Sequence, residues 1–203
     1  MSKVAIVDYG MGNLDSVFRA AEICGGNPCI ANKNSDFESV THIILPGVGS
    51  FFSGMENLRK RKLDKVLEDF VIKKGIPFLG ICLGMQLLAK KGWEEKESAG
   101  LGFVDGEVKR FDSDIDRIPH VGWNEVDFVR NSALFGSIPN GKDFYFVHSY
   151  HFICNDSEDV IARTSYCGSF VSAIEKDNIF GVQFHPEKSQ HYGLELIKNF
   201  FNI

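Results

Sequence analysis

The sequence lacks a long apolar run, a cysteine pair at metal or redox spacing, and an excess of basic charge. Its apolar stretches, such as THIILPGVG at residues 41–49, fall well short of the roughly 20 apolar residues a membrane helix needs, so no membrane span is expected. The opening MSKVAIVDYG enters a strand pattern at once and has none of the three regions of a signal peptide, which points to the cytoplasm. Twenty-two basic residues against 27 acidic leave a net charge of −5, which argues against a general nucleic-acid binder. Five cysteines (Cys24, Cys29, Cys82, Cys154, Cys167) form no disulfide framework and contain no C-x-x-C, as in a reducing compartment where any one thiol is free for chemistry. There is no H-E-x-x-H, and His148 and His151 lie in a strand-and-turn pattern, so no metal is expected. No cofactor is expected either: PGVG (residues 46–49) is not followed by the lysine of a P-loop, and YGMGN (residues 9–13) does not extend to a dinucleotide fingerprint.

Repeats, low-complexity tracts and linkers are also absent, so residues 1–203 are expected to form one domain. A hydrophobic fraction of 44%, including 18 Phe, suffices for a core, since a chain of this size buries about 70% of its unfolded surface. The first half alternates strand and helix patterns. Strands are expected at 3–8, 28–31, 42–45 and 78–81, and helices from Asn13 to Gly25, over 54–73 with an interruption near Lys62, and over 83–89. The second half reads as strands at 104–111, 125–129, 144–152, 160–164, 169–174 and 179–184, closed by a helix over 191–200. Residues 90–100 are the most polar stretch and read as a surface loop. The expected class is therefore α/β: a mostly parallel, mixed central sheet flanked by helices, with additional antiparallel strands.

The stretch PFLGICLGMQLL carries the most chemistry. An apolar strand meets Cys82, a helix pattern follows directly, and Gly80 and Gly84 flank the cysteine in a G-x-nucleophile-x-G arrangement. Such a turn is tight enough to demand neighbours without side chains, and it lifts the nucleophile above the sheet edge. A helix N-terminus at the sulfur favours the thiolate, and the amide of Leu83 points where an oxyanion forms. The alternative is a buried structural cysteine between packing glycines. A thiol nucleophile wants a base and an orienter. In GVQFHPEKS a strand ends at His185, Pro186 stops the ladder, and Glu187 is expected to share the direction of His185 as an extended i, i+2 pair. Gly47, Val48 and Gly49 of PGVG make a candidate nest of backbone N–H groups, although the same glycines would serve a plain loop.

Together, PGVGSF, GICLGMQLL, PHVGWNEV, YFVHSYH and GVQFHPEKS resemble the class I (triad) glutamine amidotransferases over essentially the whole chain, and most specifically the glutaminase subunits of imidazole glycerol phosphate synthase. The resemblance implies hydrolysis of L-glutamine to glutamate and ammonia, with Cys82 as nucleophile, His185 as base and Glu187 as its orienter. It places Gln86, Ser149 and Tyr150 at the substrate. It makes the Val48 peptide the one that reorients to complete the oxyanion hole. It also implies a heterodimer with a (β/α)8-barrel cyclase subunit, with Trp123, Asn124, Tyr145 and Lys188 near the junction and the ammonia passage. There the ammonia would join a ribulosyl aminoimidazole nucleotide to give imidazole glycerol phosphate and AICAR, for histidine and purine biosynthesis. Paralogues that feed barrel partners in surface-polysaccharide sugar modification share these motifs. An independent thiol hydrolase and a non-catalytic regulatory module on the same fold are further alternatives. One departure stands out: Ala99 precedes Gly100-Leu101-Gly102 where many members carry an acid, and the acid here is Glu97.

Overall fold

A computed structural model describes residues 2–112 and 116–203. Strand β1 (Lys3–Val7) leads through YGMGN into α1 (Leu14–Ile23), whose first turn is capped by the Asn13 side chain. β2 (Asn27–Ala31) and β3 (His42–Gly47) follow, and β3 runs into α2 (Phe51–Lys60), capped by Ser50. The helical pattern expected over 54–73 is broken where anticipated: Lys62 sits at φ 60°, and beyond it lie α3 (Leu63–Leu67) and a π-helical stretch, Glu68–Lys73. β4 (Phe78–Cys82) then meets α4 (Leu83–Gln86), a single turn rather than the longer helix expected over 83–89.

Strands β2, β1, β3, β4 and β13 (Ile179–Val182) lie side by side and all parallel. Alternate residues of these strands serve opposite faces. Ala5, Val7, Ile43 and Leu45 pack with Phe51, Met55 and Leu58 of α2, whereas Val4, Ile6, Ile44 and Ile81 pack with Val17 of α1 and with Leu196 and Phe200 of the final helix α5 (Gln190–Phe200). Burial on both sides explains why these strands read as unbroken apolar runs.

The rest of the sheet is mainly antiparallel. Short β5 (Lys91–Gly92) and β6 (Ser98–Ala99) precede β7 (Gly106–Arg110). β8 (His120–Phe128) and β9 (Lys142–His148) form a ribbon, and β10 (Tyr150–Cys154), β11 (Val160–Thr164) and β12 (Phe170–Lys176) link it to the parallel half. Three expectations change here. Residues 144–152 are two strands in different ladders, broken at Ser149. β8 begins five positions before the expected 125, because its alternation starts at a buried histidine rather than an aliphatic residue. The polar stretch 90–100 is not merely a loop, since β5 and β6 pair within it. The parallel and mixed strands flanked by helices agree with the expected class.

Candidate active site

Cys82 ends β4 at φ 53°, ψ −109°, a conformation that strains any residue with a side chain. The two flanking glycines permit it. A Cβ on Gly80 would lie 2.6 Å from the Gly84 carbonyl oxygen, and one on Gly84 would overlap the Leu45 carbonyl. The sulfur is buried, next to the carboxyl ends of β3 and β13. Because α4 is one turn long, its dipole at the sulfur is smaller than the sequence pattern suggested.

His185 lies beyond β13, and its N–H donates to the Tyr145 carbonyl of β9 at 2.9 Å. The Tyr145 N–H donates to Ser189 Oγ at 3.0 Å, and that hydroxyl donates to the His185 carbonyl at 2.6 Å. The turn bearing the histidine is thus clamped to β9 from both sides. Glu187 is not on an extended segment as expected: Pro186–Lys188 is a 3-10 turn, with Pro186 at its start. The turn still brings Glu187 Oε1 to 2.8 Å from His185 Nδ1, with both side chains buried. Burial alone would keep this imidazole neutral. Its interactions with Cys82, then with Glu187, outweigh that and raise its pKa to about 10. Nε2 is buried and closes no hydrogen bond among the described residues.

A cavity of about 480 Å³ opens over the sulfur, lined by Val48, Gly49, Ser50, Cys82, Leu83, Gln86, Glu94, Pro119, Val147, His148, Ser149 and Tyr150. Gln86 is buried, and its Nε2 donates to the Tyr150 carbonyl (2.9 Å) and to Gln183 Oε1 (3.0 Å). Gln183 Nε2 in turn lies 3.6 Å from Cys82 Sγ. The Tyr150 carbonyl also accepts from His148 Nδ1 at 2.8 Å. That leaves His148 Nε2 as an acceptor, filled by His120 Nδ1–H at 3.0 Å, and His120 Nε2 accepts from Asn124 at 3.2 Å. Burial lowers both histidines, to about 3 for His148 and about 4 for His120. With its ring lone pair occupied, His148 is unsuited to serve as a base.

Sequence reasoning did not single out Gln183, Ser189, His120 or Glu94. Glu94 is half-buried at the cavity, and its Oε2 accepts the Phe51 N–H at 2.7 Å. Burial pushes its carboxyl up, an effect partly offset by that N–H. Ala99 is exposed in β6, so the acid facing the cavity comes from Glu94 rather than from Glu97 or the position before Gly100. Outside the cavity, Trp123 pairs with Tyr145 across the ribbon, ring centroids 6.0 Å apart, and Lys188 Nζ lies 6.0 Å above the Tyr145 ring. Trp123 is 47% exposed, which removes it from the core. No group of three or more potential metal ligands occurs among the described residues, and no helix among them is long and apolar enough to cross a membrane.

The strained cysteine at the carboxyl edge of the parallel sheet and the buried His185–Glu187 pair beyond β13 belong to a chain whose residues 5–203 fit the model of the class-I glutamine amidotransferases, and the chain belongs to that family. Within the family, the chain is 46% identical over 200 residues to imidazole glycerol phosphate synthase subunit HisH of Moorella thermoacetica, covering 98% of this chain and 94% of that protein. The subunit of the same name from Chlorobaculum tepidum is 45% identical over 198 residues, covering 97% and 98%. Among solved structures, PurLQS from Thermotoga maritima matches the fold with a TM-score of 0.75 at 22% identity, covering 100% of this chain and 97% of the other. A glutamine amidotransferase from Thermotoga maritima matches with a TM-score of 0.65 at 19% identity, covering 92% and 76%.

Proposed function

We propose that the chain is the glutaminase subunit of imidazole glycerol phosphate synthase, acting in histidine biosynthesis in the cytoplasm, with residues 1–203 as its glutaminase domain. The observation that carries this reading is the buried His185, bonded to Glu187 at 2.8 Å and raised in pKa by Cys82, which itself lines a cavity roomy enough for an amino acid. The Cys82 thiolate attacks the carboxamide carbon of L-glutamine, and the C=O electron pair moves onto oxygen. The N–H groups of Leu83 and of Val48, the latter flanked by Gly47 and Gly49, receive that oxyanion. The His185 imidazolium gives its proton to the leaving nitrogen, ammonia departs, and a thioester remains. Water then attacks the thioester, His185 takes its proton, and glutamate leaves as the thiolate is expelled, which restores the thiolate–imidazolium pair. Glu187 holds the imidazole in register throughout.

Gln86 has spent both N–H groups inside the protein, so its carbonyl oxygen is what it offers the substrate. Glu94, lifted by burial, gains from an incoming α-ammonium. The backbone of Ser149 and Tyr150 borders the same end of the cavity. The exposed ribbon face with Trp123 and Tyr145, together with Lys188 and Asn124, is the docking edge for a (β/α)8 cyclase subunit, which takes the ammonia without release to water. The test is steady-state release of glutamate and ammonia by the chain alone, with the cyclase subunit, and with its acceptor nucleotide added. Slow basal hydrolysis that rises at least about 10²-fold with both additions supports the reading. Full activity of the isolated chain, unchanged by either addition, would contradict the partner-dependent part of it.

A further inference from the structure

Tyr9 lies two residues beyond the end of β1, and its side chain is wholly buried. Its hydroxyl has no hydrogen-bond partner among the described residues. A buried, unpaired O–H is costly, and native proteins rarely keep one without a use. Its position suggests that use. A Cβ on Gly47 would collide with the Tyr9 hydroxyl and would lie 2.8 Å from the Leu83 Cβ and 3.1 Å from the Gly84 nitrogen. The hydroxyl therefore sits where the end of β3 meets the cysteine turn, against the residue whose carbonyl belongs to the same peptide as the Val48 N–H. Gly47 pairs with Cys82 as the last register partner of β3 and β4, so that peptide lies beyond the ladder.

The geometry points to Tyr9 as a positioning residue for the oxyanion hole: its hydroxyl donates to the Gly47 carbonyl when the Gly47–Val48 peptide turns its N–H toward Cys82. This rests on the glutaminase reading above. Turning a peptide reverses its two ends together, so an N–H aimed at the oxyanion sends its carbonyl to the opposite side. In a buried place that carbonyl needs a donor. Tyr9 supplies one, and the observed conformation is the one in which the hydroxyl is idle. The same group thus weighs on both sides of the equilibrium: unpaired in one state, paired in the other. Burial, with Cys82 adding to it, pushes the phenol well above its ordinary pKa, so the proton stays available across the working range. The glycine at 47 acquires a reason as well, because any side chain there would displace the hydroxyl.

The test is Tyr9→Phe in the full chain, assayed for glutamine hydrolysis with the cyclase partner and its acceptor, alongside thermal melting and binding of a γ-aldehyde analogue of glutamine. The aldehyde forms a tetrahedral adduct with a thiol without turnover. The expected result is a kcat about 3- to 10-fold lower at unchanged KM, with aldehyde affinity reduced in parallel and a melting temperature no lower than wild type. A melting temperature that falls while kcat and aldehyde affinity hold would make the hydroxyl purely structural and overturn the proposal. Wild-type hydrolysis matched by the variant would overturn it alone. Absence of both hydrolysis and adduct in the wild type would overturn the glutaminase reading and this proposal with it.

Discussion

The parallel strands and the antiparallel ribbon build opposite walls of one cavity by different means. Cys82 and the Gly47–Gly49 loop sit at the carboxyl ends of strands buried on both faces, where backbone atoms meet so closely that only glycine fits at 80 and 84. The β8–β9 ribbon has two unlike faces. His120, Phe144, Phe146 and His148 point inward, whereas Val121, Trp123 and Val147 are exposed. The parallel half fixes a strained cysteine by packing. The ribbon sets the cavity wall by a chain of polar bonds and leaves its outer face exposed. The His185 turn, clamped to Tyr145 of the ribbon, joins the two.

The harshest way to break this comparison is to crowd the parallel side. Gly84→Ala places a methyl group on the Leu45 carbonyl, and a loss of about 3 kcal/mol or more in unfolding free energy is expected by denaturant titration. Next comes the joint between the halves. Glu187→Gln should leave the chain folded while lowering kcat by about 10- to 10³-fold, less than the roughly 10⁴ seen when a serine triad loses its acid, because a thiol is easier to deprotonate.

The ribbon should show itself through pH. His120 and His148 are held neutral when folded, with pKa values near 4 and 3, but bind protons near 6.5 when unfolded. Their stabilisation is complete above about 6.5 and is lost as pH falls below it, with about two protons taken up on unfolding near pH 5. His185, raised to about 10, has the opposite sign: its contribution is full below about 6.5 and fades as pH climbs through 10. Calorimetric melting from pH 5 to 10 should therefore give a dome, and a profile flat from 5 to 7 would remove the buried neutral histidine pair. The smallest effect belongs to the ribbon's outer face. Trp123→Ala should weaken association with the cyclase subunit by about 1 kcal/mol or more in titration calorimetry, with folding unaffected.

The parallel half was legible in the sequence because its signals are local. Apolar runs end in glycines, and G-x-C-x-G lies within five consecutive residues. Even the break at Lys62 was visible. The histidine and its acid were legible as a pair, although the extended geometry inferred for them is a 3-10 turn that reaches the same contact. The ribbon and the polar contacts around the cysteine were read less well because their meaning lies in pairs distant in sequence. His120 takes its place from His148, Ser189 from Tyr145, and Gln183 from Gln86 and Cys82. Glu94 was hidden in a stretch whose polarity suggested only solvent, and it gains a role because β5 and β6 fold that stretch back toward the cavity.

The central claim is that Cys82, alone among the five cysteines, is the nucleophile of a glutamine-hydrolysing site. The most direct measurement is intact mass, followed by peptide mapping, after exposure to an electrophilic glutamine analogue, with Cys82→Ala as the companion sample. A single adduct on Cys82, absent from the variant, is predicted. Adducts on Cys154 or Cys167 with Cys82 untouched would contradict it.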